Sequence, residues 1–380
     1  MRMSELLYKV LKEIKPLDGD AMEAAAKHWD SIAKPLHSLG MLEDVIVELA
    51  GMRHTPNVSL NNKLLVTFCA DNGVVAEGVS QTDSEVTAIV AENFLRGDAT
   101  AAICCRNTGT RHIVVDMGML RDIRVPEGIV VNPDWLREND RKVNADDDRI
   151  VYVDQYKLSY GTKNLREMPA MSREEAEKAL EAGITIARAA KGTDIFAIGE
   201  MGIGNTTTGS AITAVLLGKE AAEVTGRGAG LDNARLQNKI RVIEEAIVKH
   251  QPDPQDPVDV LAKLGGFDIA GMAGLILGAA SVGKPVVIDG FISSVAALLA
   301  VRICPQAGDY LIASHVSKEP AANALLQALG KEAMLHCNMF PGEGGGAVML
   351  FPMLELALAV YKGMPSFEAV NIEAYVPLGG

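Results

Sequence analysis

The stretch GEMGIGNTTTGS at residues 199–210 follows the apolar run IFAI at residues 195–198, so a short buried strand opens into a polar, glycine-rich turn. Phosphate sites are built at such junctions, because glycine lets the backbone approach an anion. The apolar residues 211–217 read as a helix whose N-terminal amides point at the turn. The loop also carries one acid, Glu200. Beside an anion site a carboxylate suits a sugar, a base or a cationic ring better than the phosphate, which it repels. Taken alone, the loop fits a ligand-free strand-to-helix turn equally well.

The same pattern recurs along the chain. Apolar runs at residues 64–70, 112–115, 285–288 and 310–313 end in Asp71-Asn-Gly73, Asp116-Met-Gly118, Asp289-Gly290 and Ser314-His315. One such Asp is ordinarily a turn former or a helix cap. With Gly199-Glu200 there are five such runs, and in a parallel sheet their polar ends share one edge, where ligands bind. With 48% apolar residues, only 4% aromatics and 36 glycines, the composition suits helices layered on a buried sheet. The expected fold is therefore α/β: a doubly wound, mostly parallel sheet with helices on both faces. Residues 55–330 form the large domain, and residues 1–54 and 331–380 combine into a small helical one. The apolar spacing of Leu6, Leu7, Val10, Leu11 and Ile14 supports a helix in the latter.

Bulk properties exclude several classes. A formal charge of −13 without clustered Lys or Arg disfavours a nucleic-acid surface. Five cysteines without a CxxC pair read as reduced, buried thiols, and no zinc site is indicated. The first residues lack the apolar core of a signal peptide, and no uninterrupted apolar run is long enough to cross a bilayer, so no membrane is expected and cytoplasmic is the default. Residues 137–149 (RENDRKVNADDDR) read as a solvated excursion, and residues 252–257 (PDPQDP) as a connector between helices. No GxGxxG motif follows the first strand, which argues against a dehydrogenase.

Three further residues are candidates for chemistry. Arg227, in TGRGAGLD (residues 225–232), can pair with a phosphate or sit on the surface. Lys239 lies on the helix that begins near Asp232, where the bland expectation is a solvent-facing lysine. Glu343 stands between glycines, where neither helix propensity nor packing asks for it. Held by flexible backbone beside an apolar run, it is a candidate general base, since partial desolvation raises a carboxyl pKa towards the working pH. An incidental acid in a surface turn remains the alternative.

Together these segments resemble a known family. DNGVVAEGVS (71–80), EVTA (85–88), NFLRG (93–97), GTKN (161–164) and GEMGIGNTT (199–207) are followed in order by TGRGAGLD, DGF (289–291), SHVSKEP (314–320) and GEGGGA (342–347). They are similar to the motifs of nicotinate-nucleotide:dimethylbenzimidazole phosphoribosyltransferases, over residues 42–367. The resemblance implies transfer of 5-phosphoribosyl from nicotinate mononucleotide to a nitrogen of an aromatic base, giving an α-ribotide in cobamide lower-ligand synthesis. It implies Glu343 as general base, with Glu200 and Lys239 as polar groups near the nucleotide. Gly202, Gly204, Asn205 and Thr206 match the phosphate cradle, and Gly226, Arg227 and Gly228 of TGRGAGLD are expected among the substrate-binding residues. Asp71, Ser80, Asp289, Ser314 and His315 match other substrate-side motif positions, and Ser84 and Pro341 are expected on the substrate side at positions where the chain departs from the family. No metal or redox cofactor is implied. A homodimer is the default, and a heterodimer with a paralogue, or a non-catalytic subunit of one, is the alternative.

The departures cluster. Where benzimidazole-using relatives read YPQEVT, residues 82–87 read TDSEVT; where they read MRLGEG, residues 339–344 read MFPGEG. Both changes fall on the acceptor side. They raise the expectation of an altered acceptor, such as adenine or a phenolic compound.

Overall fold

The computed structural model describes residues 4–136 and 149–375; the charged excursion, apart from Arg149, lies outside the described residues. Among the described residues seven strands form the sheet: β1 (Lys63–Ala70), β2 (Arg111–Gly118), β3 (Val130–Val131), β4 (Ile150–Val153), β5 (Ile195–Met201), β6 (Val286–Ile288) and β7 (Leu311–Ala313). Their order is β3-β4-β2-β1-β5-β6-β7, and every pairing is parallel. β1 and β2 are buried along their whole length, as strands covered on both faces must be. From β1 the chain moves towards β2, and it later returns to β5 on the other side of β1. The segments that follow β1 and β5 therefore diverge, and a crevice opens at their carboxyl ends.

One helical layer holds Glu85–Arg96, Thr100–Thr108 and the long helix Gly345–Gly363; the other holds Arg173–Ala189, Phe267–Ser281 and Phe291–Ile303. The five strands read from sequence are present. β3 and β4 were missed because two and four residues carry too little periodicity to register. The helix expected over residues 211–217 starts six residues earlier, as Asn205–Leu217. Gly204, at φ +93°, turns the chain directly into the helix. The Thr208 and Thr213 hydroxyls then bond back to the carbonyls of Asn205 and Gly209, so a polar first half can be buried. The loop read as a glycine cradle is thus partly a helix N-terminus.

The chain ends meet: Ile32 bridges Ser366, and the Trp29 and Tyr361 rings stand edge to face at 5.0 Å. Helix Met41–Arg53 packs on Gly345–Gly363, while the first helix, Glu5–Glu13, packs on the opposite layer. One apolar core runs from Leu7 to Tyr361. By length and composition helix Gly345–Gly363 could cross a membrane, although Glu355 interrupts its apolar run. Much of it instead packs on Thr100–Thr108, Met41–Arg53 and β5, and its Glu355 pairs with Lys63. The thiols also differ in part from expectation: Cys69, Cys105 and Cys304 are buried, Cys104 is partly so, and Cys337 is exposed.

Candidate active site

Two adjoining cavities lie over the carboxyl ends of β5, β6 and β7. The larger, about 460 Å³, is lined by Glu200, Thr206, Gly228, Asp289, His315 and Glu319, with Phe291, Ile292 and Phe340 supplying apolar wall. The smaller, about 100 Å³, is lined by Ser80, Gly202, Gly204, Asn205, Arg227 and Gly228. They share Thr206 and the 228–230 loop, so an elongated ligand would span both.

Acids dominate the floor. The Asn205 amide nitrogen donates to Glu200 Oε2 and also to Asp268 Oδ2, the latter at 2.9 Å, so one NH₂ group joins two carboxyl groups. Burial, then the neighbouring Asp268, Asp289 and Glu343, pushes the Glu200 carboxyl up to about 8, against the pull of the Asn205 amide. Asp268 is fully buried, and burial pushes it up to about 6. Asp289 accepts from Ala347 N at 2.9 Å and Gly344 N at 3.3 Å, tying the end of β6 to the start of helix Gly345–Gly363. Burial pushes it to about 7 despite those amides. A site with this many raised carboxyl groups favours a cationic partner, which would draw off their protons.

Glu343 occupies a left-handed turn with Gly342 and Gly344, at φ +64°, +67° and +91°. Its carbonyl rests on Gly199 of β5, where a Cβ would overlap it. Its carboxylate is half-buried and accepts from Ala101 N at 3.2 Å, at the start of helix Thr100–Thr108. Burial raises its pKa. Gly342 lines the larger cavity; Glu343 itself is not among the lining residues but is half-buried one residue from that wall.

Lys239 is not the solvent-facing lysine of the bland reading. It is completely buried beneath the cradle, and its Nζ donates to Thr206 Oγ1 at 2.8 Å and to the Gly226 carbonyl at 3.2 Å. Burial lowers its pKa to about 8, opposed by Glu319. Arg227 is exposed at the rim and donates to the Leu231 carbonyl and Asn233 Oδ1 of its own loop.

His315 is 3% exposed and lines the larger cavity. The Ser314 hydroxyl donates to the Asp289 carbonyl at 3.1 Å, so it must accept from His315 Nδ1, 3.0 Å away. Nε2 is left as a bare, buried acceptor. Other expected site residues fall outside the cavity walls. Asp71 accepts from Thr87 Oγ1 at 2.6 Å and Leu120 N at 2.8 Å, and the Thr87 hydroxyl in turn receives Ile203 N. It braces the loop after β5 without facing the cavity. Ser84 precedes helix Glu85–Arg96, Ser314 acts through His315, Pro341 packs on Gly345, and Gly226 faces Glu319.

Sequence reasoning missed Asp268, Glu319 and the apolar wall of Phe291, Ile292 and Phe340. Asp268 left one signal, an acid inside the otherwise apolar helix Phe267–Ser281.

Residues 14–372 match the family model described as phosphoribosyltransferase. The chain is 41% identical, over 98% of its length and 99% of the relative's, to nicotinate-nucleotide–dimethylbenzimidazole phosphoribosyltransferase of Acetivibrio thermocellus. It is 42% identical to the enzyme of that name from Ruminiclostridium cellulolyticum, over 97% of this chain and 99% of the relative. The crystal structure of CobT from Thermus thermophilus superposes with a TM-score of 0.83 at 34% identity, covering 94% of this chain and all of that one. The family match over residues 14–372 and these relatives, similar over nearly the whole length, make this chain a member of the phosphoribosyltransferase family.

Proposed function

We propose that the protein moves the 5-phosphoribosyl group of nicotinate mononucleotide to a ring nitrogen of an aromatic base, with dimethylbenzimidazole the first candidate. Nicotinate leaves and the anomeric carbon inverts from β to α. The observation that carries this reading is the joined cavity: a helix N-terminus with a buried lysine at one end, clustered carboxyl groups in the middle and aromatic wall beyond. Phosphate suits the first, and a pyridinium or an oxocarbenium-like ribose suits the second. A flat heterocycle suits Phe291, Ile292 and Phe340. The bare His315 Nε2 would accept from a ribose hydroxyl.

Nicotinate on ribose is already a cationic leaving group, so alignment plus one base suffices. The new N–C1′ bond forms as the C1′–nicotinate bond breaks, and Glu343 takes the proton of the incoming base. Its carboxylate leaves Ala101 N and turns into the cavity past Gly342. On this reading residues 1–54 and 331–380 form the small helical unit that carries Glu343 to the cleft of residues 55–330. Incubation with nicotinate mononucleotide and equimolar bases, read by mass spectrometry, tests the activity. No nicotinate release with any base overturns the reading, and a preference for adenine or a phenol moves the acceptor away from dimethylbenzimidazole. Glu343→Gln is expected to abolish turnover and keep donor binding.

A homodimer fits the exposed apolar stripe of Met349, Met353 and Leu356 on the outer face of helix Gly345–Gly363. Activity gained only on adding a paralogue would favour a heterodimer. The unpaired thiols suit a reducing, cytoplasmic setting.

A further inference from the structure

Against the Glu343 turn, two buried polar side chains that line neither cavity sit in the middle of the sheet with no role in the chemistry above. Thr67 of β1 is fully buried and pairs in register with Gly199 of β5. Its Oγ1 lies 3.3 Å from the Glu343 carbonyl oxygen and 2.8 Å from Nε2 of His112 on β2, itself fully buried. A hydroxyl has one hydrogen, and a carbonyl can only accept. The Thr67 hydrogen therefore goes to Glu343 O, and His112 must carry its proton on Nε2 and donate it to Thr67 Oγ1. Nδ1 is then a bare lone pair, and it is the His112 nitrogen left without a partner. The Phe94 ring stands edge-on to the imidazole at 5.4 Å.

Two neutral polar groups in the centre of a parallel sheet are costly unless each is satisfied. Here the satisfied direction runs one way, from His112 through Thr67 to the main chain of Glu343. That residue is where the backbone needs holding. A non-glycine residue at positive φ, between two glycines also at positive φ, has little intrinsic preference for its conformation. Gly199 leaves room for the carbonyl but supplies no directional bond.

We propose that Thr67 and His112 form a buried relay that positions Glu343 by fixing its main-chain carbonyl against the sheet. They touch no substrate; they act through Glu343, and the proposal rests on Glu343 being the general base. The relay is insensitive to pH across the working range, because burial lowers His112 to about 3 and leaves it neutral. With the carbonyl anchored, only side-chain torsions remain to carry the carboxylate between Ala101 N and the cavity.

The test is a cycle of variants assayed for kcat, donor KM and thermal midpoint. Thr67→Val keeps the shape and removes the hydroxyl; kcat is expected to fall about tenfold or more with donor KM changed less than about threefold, since misplacing a catalytic group by fractions of an ångström suffices. Thr67→Ser restores the hydroxyl and is expected to restore most of kcat. Should Thr67→Val fail to fold, His112→Leu is read against His112→Gln, which keeps a donor; the first is expected to lower kcat several-fold more than the second. An unchanged kcat in folded Thr67→Val, or a loss that Thr67→Ser does not restore, overturns the relay. Full activity of Glu343→Gln overturns the general-base reading instead, and so separates the two failures.

Discussion

Gly199→Ala places one methyl group where the structure leaves no room. A Cβ there would overlap the Glu343 carbonyl and stand 2.7 Å from Gly344 N, inside the 3.0 Å that real Cβ atoms essentially never breach. The obstacles are backbone atoms, so no side chain can swing aside. β5 is fixed between β1 and β6, and the loop must therefore move. Clearing the overlap takes a shift of roughly 1 Å, and a misplacement of that size costs on the order of 10²-fold in rate. The phosphate cradle lies beyond Gly202, so donor affinity is expected to stay within about threefold, and stability to fall by about 1–3 kcal/mol as in other overpacked sites. Nicotinate release gives kcat, calorimetry gives donor affinity, and a thermal scan reports the fold. A variant with unchanged kcat and unchanged midpoint would refute the close seating of the Glu343 turn on β5.

Other outcomes follow from the same geometry. Lys239→Met removes the cation under Thr206 and Gly226, and donor affinity measured by calorimetry is expected to drop about 10- to 100-fold, as for a charged hydrogen bond worth about 1.5–3 kcal/mol; unchanged affinity would make Lys239 structural only. Glu200 and Asp289 titrate at about 8 and about 7, well above ordinary carboxyl groups, so in the free protein their protons are lost as pH rises through that window. A raised folded-state pKa adds stability below the unfolded value that disappears as pH climbs through the folded one. The melting temperature of the free protein is therefore expected to fall between about pH 5 and pH 8, and less so in Glu200→Gln, while donor KM improves across the same window as the carboxylates form; a rising melting temperature would contradict the burial of these acids. Leu356, 68% exposed on the apolar stripe, is expected on change to Glu to turn a dimer into a monomer in light scattering, and a monomeric wild type would remove the homodimer.

What could be read from the sequence was what is encoded locally. β1, β5 and the helix after Asp232 announce themselves because apolar runs, turn glycines and capping residues act within a few positions of one another; the Asp232 cap closes where the pattern puts it. The Glu200 loop and the glycine-flanked Glu343 were legible because their residue types make no sense as packing. The short strands β3 and β4 were not, because pairing with β2, rather than their own composition, makes them strands.

The site itself is a product of distance along the chain. Lys239 is an ordinary helical lysine until Thr206 and Gly226 close over it. Asp268 is an oddity in an apolar helix until Asn205 links it to Glu200. Asp71 reads like a site acid, yet Thr87 and Leu120 take up its oxygens. Residue type and spacing thus determined the strands, the glycine turns and the candidate acids. Which acids face the cavity, which stay protonated and what holds Glu343 were decided by burial and by hydrogen bonds between residues far apart in sequence, because desolvation and partner geometry exist only once the sheet has assembled.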